Sequence, residues 1–362
     1  MKNNAGKTLM LLLLISSSCS SIHKFSVDVQ EPALVTLPVS AQNVLILNNT
    51  VIQPKDYGIE RTLDGQPIPT DYPLSLDSMV WSAMDEIAGV LDESHFFNTL
   101  ATYRKPLRSD SDAEWLSIVK LSPDVQSDFY ATENYDALLV INRLLFSVKE
   151  NVKKIPSSIF SSDPIASVEL RADGILTCSM YSYRKERALT TFTISDSLLA
   201  NSMVICDSTV LFKEIPELVL DELSHKIGNQ AANHFIPTWK TSERILFTGR
   251  NARMQEATGY AADHQWAKAE AIWITESEKK TKPADKAKIA FNLAVADEMQ
   301  DKFESAAAWA QKAKEYFENA NLNNNSKEIT LIDQYITDLE KRIQDNRLLD
   351  LQWGKEQKEK SR

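Results

Sequence analysis

Glycine is scarce in this chain: nine residues in 362, about a third of the usual share. No two stand in a Gly-x-Gly arrangement. The cradles that hold dinucleotides and P-loop phosphates need glycine where backbone meets phosphate, so both classes are excluded and no cofactor is expected. Histidine is sparse too. His23, His95, His225, His234 and His264 never fall three to five residues apart, the spacing of metal-binding pairs, so no metal site is expected. The nearest approaches to ligand clusters, Asp92 to His95 and Asp221 to His225, read as a helix end and a solvated helix face. No Gly-x-Ser-x-Gly elbow surrounds a serine. Glu217, Asp221 and Glu222 read as solubilising charge rather than the paired carboxyls of glycoside chemistry. Apolar runs are short as well: Leu9 to Ile15 is seven residues, where a membrane-crossing helix needs about 20.

What is present starts at that short run. Lys2 and Lys7 precede it and Ser16, Ser17 and Ser18 follow, the pattern of a cleaved signal peptide. Ser17-Ser18-Cys19 resembles a relaxed bacterial lipobox, with Ser16 where leucine is usual. The resemblance implies that residues 1–18 are lost, that Cys19 carries the lipid, and that residues 19–40 form a tether. Acyl chains bury about 0.8 kcal/mol per CH₂, so a triacylated terminus anchors stably. With the signal gone the net charge moves from −10 to −12, because two lysines leave and no acid does. That excess argues against nucleic acid and against diffuse attraction to an anionic membrane. Of the three cysteines, Cys178 and Cys206 sit in apolar strand-like runs and read as core residues rather than a bridge.

The spacing predicts an α+β chain: a mixed α/β sheet domain over residues 41–250, an all-α domain over 251–350 and a charged tail over 351–362. Asn43 to Asn49 reads as a buried strand, and Val80, Ala83, Met84, Ile87, Val90 and Leu91 as a helix behind an Asp77/Ser78 cap. A second strand over His95 to Arg104, a short helix near Ser122 to Thr132 and a strong strand over Tyr135 to Val148 follow. Two antiparallel strands then flank the polar turn Arg184 to Arg187. A helix with Leu218, Leu220, Leu223, Ile227, Ala231 and Phe235 on one face should cover the sheet. This order resembles a small envelope α/β fold of curli-secretion-like lipoprotein domains. The lipobox, "SAQNVLILNN", "NYDALLVINRLLF", the "MYSY" strand and "FIPTWKTSERILF" together resemble an uncharacterised family of Bacteroidota lipoproteins with no assigned reaction.

The C-terminal third carries two staggered copies of one pattern. Ala257, Tyr260, Trp266, Ala269 and Trp273, then Leu293, Ala294, Phe303, Ala306, Ala310 and Ala313, resemble the packing positions of tetratricopeptide repeats, where small residues face large ones. Two copies fall short of a free solenoid, so Ile329, Ile332, Ile336, Leu339 and Ile343 should form a capping helix. The resemblance implies a groove lined by Met254, Thr258, Lys288, Phe291, Val295 and Glu298, open to a partner or filled by the chain's own last helix. Asp77-Ser78-Met79, Asp196-Ser197-Leu198 and Asp207-Ser208-Thr209 match a short acceptor pattern for O-glycosylation at Ser78, Ser197 and Ser208.

The expected function is a lipid-anchored envelope protein, on the periplasmic side of the outer membrane, that binds another envelope protein without catalysis. The alternative is an envelope hydrolase acting on glycans or esters from a site concealed in the α/β domain.

Overall fold

The computed structural model describes residues 22–54, 57–69, 75–109, 114–133, 135–155, 165–183, 187–205, 211–249, 251–320 and 326–354. In chain order the strands and helices begin β1 (Ile22–Glu31), β2 (Asn43–Asn48), β3 (Ile59–Leu63), β4 (Gln66–Pro67), α1 (Leu76–Glu93), β5 (Thr99–Tyr103), α2 (Pro123–Glu133), β6 (Ala137–Ile155) and β7 (Ile165–Ser182). They continue β8 (Thr190–Ile205), α3 (Leu211–Ala232), β9 (Thr238–Phe247), α4 (Ala252–Ala262), α5 (Trp266–Lys279), α6 (Pro283–Glu298), α7 (Phe303–Asn319) and α8 (Lys327–Gln352). The mixed α/β region followed by helices is the expected fold class. The chain divides into two compact units, each discontinuous: an α/β unit of Glu31–Thr238 with Leu348–Arg362, and a helical unit of Met1–Gln30 with Trp239–Arg347.

The α/β unit is organised by β6. Its first half pairs in parallel with β2, which pairs in parallel with β5 on its other side; its second half pairs in parallel with β3. Along its opposite edge β6 pairs antiparallel with β7 over its whole length, and β7 with β8. Residues Ala137 to Ile141 have no exposed surface, as expected of a strand covered on both faces. On one face Val44, Ile46, Leu139 and Ile141 meet α1 and α3; on the other Leu45, Leu47, Leu138 and Val140 meet the α2 side of the unit. A bulge between Ile141 and Arg143 inserts Asn142 and shifts the phase, so that Leu144, Phe146 and Val148 return to the α1/α3 face. With its amide turned to suit its neighbours, buried Asn142 donates to the Val119 carbonyl and accepts from Ser179. Further along β6, Glu150 falls on a buried position and pairs with Arg61 of β3 at 2.9 Å.

Two details depart from the sequence reading. The Asp77/Ser78 cap lies in the first turn of α1; Ser75 holds the cap position without a side-chain bond, and Ser78 Oγ donates back to its carbonyl at 2.9 Å. Leu218 is 68% exposed, because the buried stripe of α3 runs through Val219, Leu220, Leu223, Ile227 and Ala231. The β3–β4 hairpin was not legible as a strand pair. Asp64 and Gly65, both at positive φ (50° and 80°), form its two-residue turn.

The helical unit holds a core of its own: Ala257, Ala269, Trp273, Ala294, Ala306, Ala310 and Ala313 have no exposed surface. Small side chains let α4 to α7 approach, and Trp273 and Phe317 fill the space between them. Ile329, Ile332 and Leu339 of α8 join that core. The stretch read as a tether instead contains a strand: β1 pairs with β9 in a two-stranded sheet, held also by Lys24–Glu243 at 2.8 Å and Thr241–Asp28 at 2.7 Å. Most of the "FIPTWKTSERILF" stretch is β9. The start of the charged tail is likewise ordered within the α/β unit, where Gln352 is buried and bonds both backbone groups of Ala33 at 3.0 Å.

Candidate functional site

Of the six groove positions, two line an open pocket and four are buried beneath the chain's own segments. The pocket holds about 220 Å³ at one end of the helical unit. Phe247, Met254 and Ile289 form its apolar floor; Lys280, Lys288 and Asp285 stand at its rim. β9 delivers Phe247, and the chain then turns through Gly249 at φ +62°, whose hydrogen faces Met254, to reach Asn251. Asn251 caps α4 by accepting from Arg253 N–H at 3.0 Å, and donates to Glu276 at 2.7 Å. Lys279, aided by the Asn251 bond and opposed by burial, holds the Glu276 carboxyl below its ordinary range. The Lys288 ammonium lies 5.8 Å from the centre of the Phe247 ring. Two lysines against one aspartate leave the rim net positive in a chain that is acidic overall.

Thr258, Phe291, Val295 and Glu298 are buried. Thr258 bonds the Met254 carbonyl one turn back, at 2.9 Å. Phe291 packs between Phe247 and Tyr335, with ring centres 5.4 and 4.9 Å away. Glu298 accepts from Nε and Nη2 along one edge of the Arg244 guanidinium at 2.9 to 3.2 Å, from the Tyr335 hydroxyl at 3.0 Å and from Arg342. The partners of Phe291 and Glu298 come from β9 and α8, and all four positions are buried, so they do not line an open groove. Two helical pairs leave an inner face too large to stay bare, and β9 and α8 cover it.

Burial presses the Glu298 carboxyl upward, yet the bonds and charges of Arg244 and Arg342 bring it below the ordinary glutamate value. Tyr335 is pushed well above its ordinary value by burial and by the Glu298 charge, which keeps its hydroxyl a donor. Sequence reasoning passed over Arg244 and Arg342. The available signal was a glutamate closing the apolar run "IAFNLAVADE", a charge on a face with nowhere to go but inward.

Elsewhere the sites separate. Ser78 is exposed in the first turn of α1, whereas Ser197 is half-buried in β8 with its N–H bonded to the Asp196 side chain at 2.7 Å. Cys19, Ser208 and Cys206 lie outside the described residues. Cys178 is free and fully buried. His225 meets Glu86 at 2.9 Å across the α1–α3 seam, where Ser82 also bonds Asp221 at 2.5 Å. Among the described residues no three His, Cys, Asp or Glu side chains are placed to hold a metal ion. No described helix is long and apolar enough to cross a membrane.

A domain of unknown function, DUF8603, matches residues 41–247. The chain belongs to the DUF8603 family. The DUF8603 segment runs from Ala41 to the pocket residue Phe247, through every strand from β2 to β9. A second domain of unknown function, DUF6340, matches residues 255–341, from within α4 to within α8. No curated protein matches. Among solved structures, this DUF8603 chain is similar to a neuraminyllactose-binding hemagglutinin homolog from Helicobacter pylori at 14% identity, over 57% of this chain and 93% of that one, with a TM-score of 0.25. It is also similar to a minor lipoprotein from Acinetobacter baumannii at 12% identity, over 55% and 97%, with a TM-score of 0.20. A lipoprotein from Neisseria meningitidis matches at 13% identity, over 53% and 98%, with a TM-score of 0.17.

Proposed function

We propose that this chain is a lipid-anchored envelope protein that binds an acidic, apolar-tipped peptide segment of another envelope protein and performs no catalysis. The observation that carries the reading is the pocket at Met254 and Lys288: an apolar floor under a net positive rim, on a chain whose formal charge is −10. An acidic chain that gathers lysines at one concave spot favours an anionic guest there. Apolar side chains from that guest would bury against Phe247 and Ile289. The anchor rests on Ser17-Ser18-Cys19, the address on the Bacteroidota-type lipoprotein resemblance, and the binding role on the tetratricopeptide-like spacing of α4 to α7. The outer membrane, periplasmic face, is the proposed location.

Two measurements test this. Replacing Cys19 by alanine should release the protein to the soluble fraction or stall its processing; unchanged membrane partitioning would refute the anchor. A photo-crosslinking side chain at position 288 should give one discrete adduct in living cells, weakened when Lys280 is changed to glutamate. The same adduct from position 312, on α7 and outside this pocket, would refute the pocket as the binding site.

A further inference from the structure

A larger pocket lies beside β1. It holds about 380 Å³, within the range of small-molecule sites, which begins near 300 Å³. Its apolar wall is Phe25, Leu246, Ala261 and Trp266, and its polar members include His23, Lys24 and His264. Phe25 and Trp266 pack with ring centres 5.6 Å apart, and His23 stacks on Phe25 at 6.3 Å. No carboxylate lines the pocket among the described residues. Lys24 is paired with Glu243, but both side chains are more than half exposed, so that bond exchanges at little cost. The composition is amphipathic: aromatic and aliphatic carbon together with nitrogen donors.

The chain itself says what lies nearby. His23 is four residues beyond Cys19, and four residues span at most about 14 Å. If Cys19 is acylated in a bilayer, its neighbours sit at the headgroup layer, which adds roughly 5 to 8 Å to each side of the hydrocarbon. Aromatic rings with a polar edge favour that layer. A short linker also raises the local concentration of lipid to the millimolar range or above, so a weak site suffices and the acidic net charge is no obstacle.

We infer that this pocket takes the headgroup of a phospholipid from the bilayer that holds the anchor. The phosphodiester meets the His23, Lys24 and His264 side, and the glycerol and first acyl carbons lie against Phe25 and Trp266. The inference rests on the lipoprotein reading above, and its test is separable from that reading. The full-length mature chain with Cys19→Ser, which carries no lipid, is titrated with a short-chain phosphatidylcholine below its micelle concentration. Seven tryptophans emit, so the Trp266 signal is the difference between this chain and the same chain carrying Trp266→Phe.

A saturable change in that difference at millimolar lipid, weakened severalfold by the exposed substitution Lys24→Glu, is the expected result. No saturable change would overturn the inference, and so would an equal response to glycerol phosphate alone, which would mark a site for free anions. In vesicles of phosphatidylethanolamine and phosphatidylglycerol, the acylated chain should lose more emission to brominated lipid than its Trp266→Phe variant; equal loss would also overturn it. The mass of the native amino-terminal peptide reports separately on acylation. An unmodified Cys19 would sink the anchor, while the titration still judges the pocket.

Discussion

Replacing Glu298 with glutamine alters almost nothing in shape and should nonetheless destabilise the helical unit strongly. The carboxylate has no exposed surface and is held by Arg244, Arg342 and Tyr335. Glutamine would turn an amide nitrogen toward one of two arginines and leave Arg244, only 5% exposed, without a counter-charge. Removing one partner of a buried pair costs about 3 to 5 kcal/mol. That is a large part of the roughly 5 to 15 kcal/mol by which a domain is stable. At about 2 to 4 °C per kcal/mol for a unit of this size, the melting temperature should fall by at least roughly 6 °C.

Thermal melts give the magnitude, and hydrogen exchange of α6 amides shows that the loss is local to this unit. Converting Glu298, Arg244 and Arg342 together to methionine should recover most of the stability, because apolar replacements of whole buried ion clusters are often neutral or better. A loss under about 1 kcal/mol for the single variant, or a triple variant no better than the single one, would refute the reasoning. The pH dependence has a defined sign. Because the folded pKa of Glu298 is depressed, its stabilisation is complete above the unfolded value of about 4.3 and is lost as pH falls through the folded value. Glu298→Gln should remove that part of the acid transition.

Three further outcomes follow from the geometry. A Cβ on Gly228 would sit 2.7 Å from the Ala83 carbonyl, so Gly228→Ala should part α3 from α1 and cost about 1 to 3 kcal/mol; Gly89 has nothing within 4 Å, and Gly89→Ala should instead add up to about 1 kcal/mol. Paired urea melts compare the two. Trp273 is wholly buried and its indole N–H meets no acceptor among the described residues, so Trp273→Phe should be mild while Trp273→Ala costs about 3 to 5 kcal/mol. Burial pushes the Cys178 thiol up, so it should resist iodoacetamide in the native protein and react fully in denaturant, as mass spectrometry of its peptide would show.

How much was legible depended on whether a residue's partner was near in sequence. The apolar runs at Val44 and Leu138 and the stripe of α1 announced themselves by period, so the sheet and its covering helix could be read. The Asn142 bulge could not, because one polar residue inside a buried run looks like noise until the phase on either side is compared. β1 was missed for a different reason. Phe25, Val27 and Val29 alternate with Ser26 and Asp28, but the run is short and directly follows the expected anchor, and the strand that pairs it, β9, lies far along the chain. The groove residues were chosen from helix spacing, which identifies the inner face but says nothing about its occupant. Lys288 remained partly accessible and Met254, though buried, lines the pocket beside it; Thr258, Phe291, Val295 and Glu298 are enclosed, and the arginines that claim Glu298 lie 54 and 44 residues away.

The pairing of distant segments also sets an order in time. Lys24 waits for Glu243, 219 residues later, and Ala33 waits for Gln352, 319 residues later. A chain emerging from its amino terminus therefore carries β1 unpaired through most of synthesis. Contacts of such long sequence separation form slowly and expose sheet edges meanwhile. The first described strand of the chain finds its partner only after every other described strand has emerged.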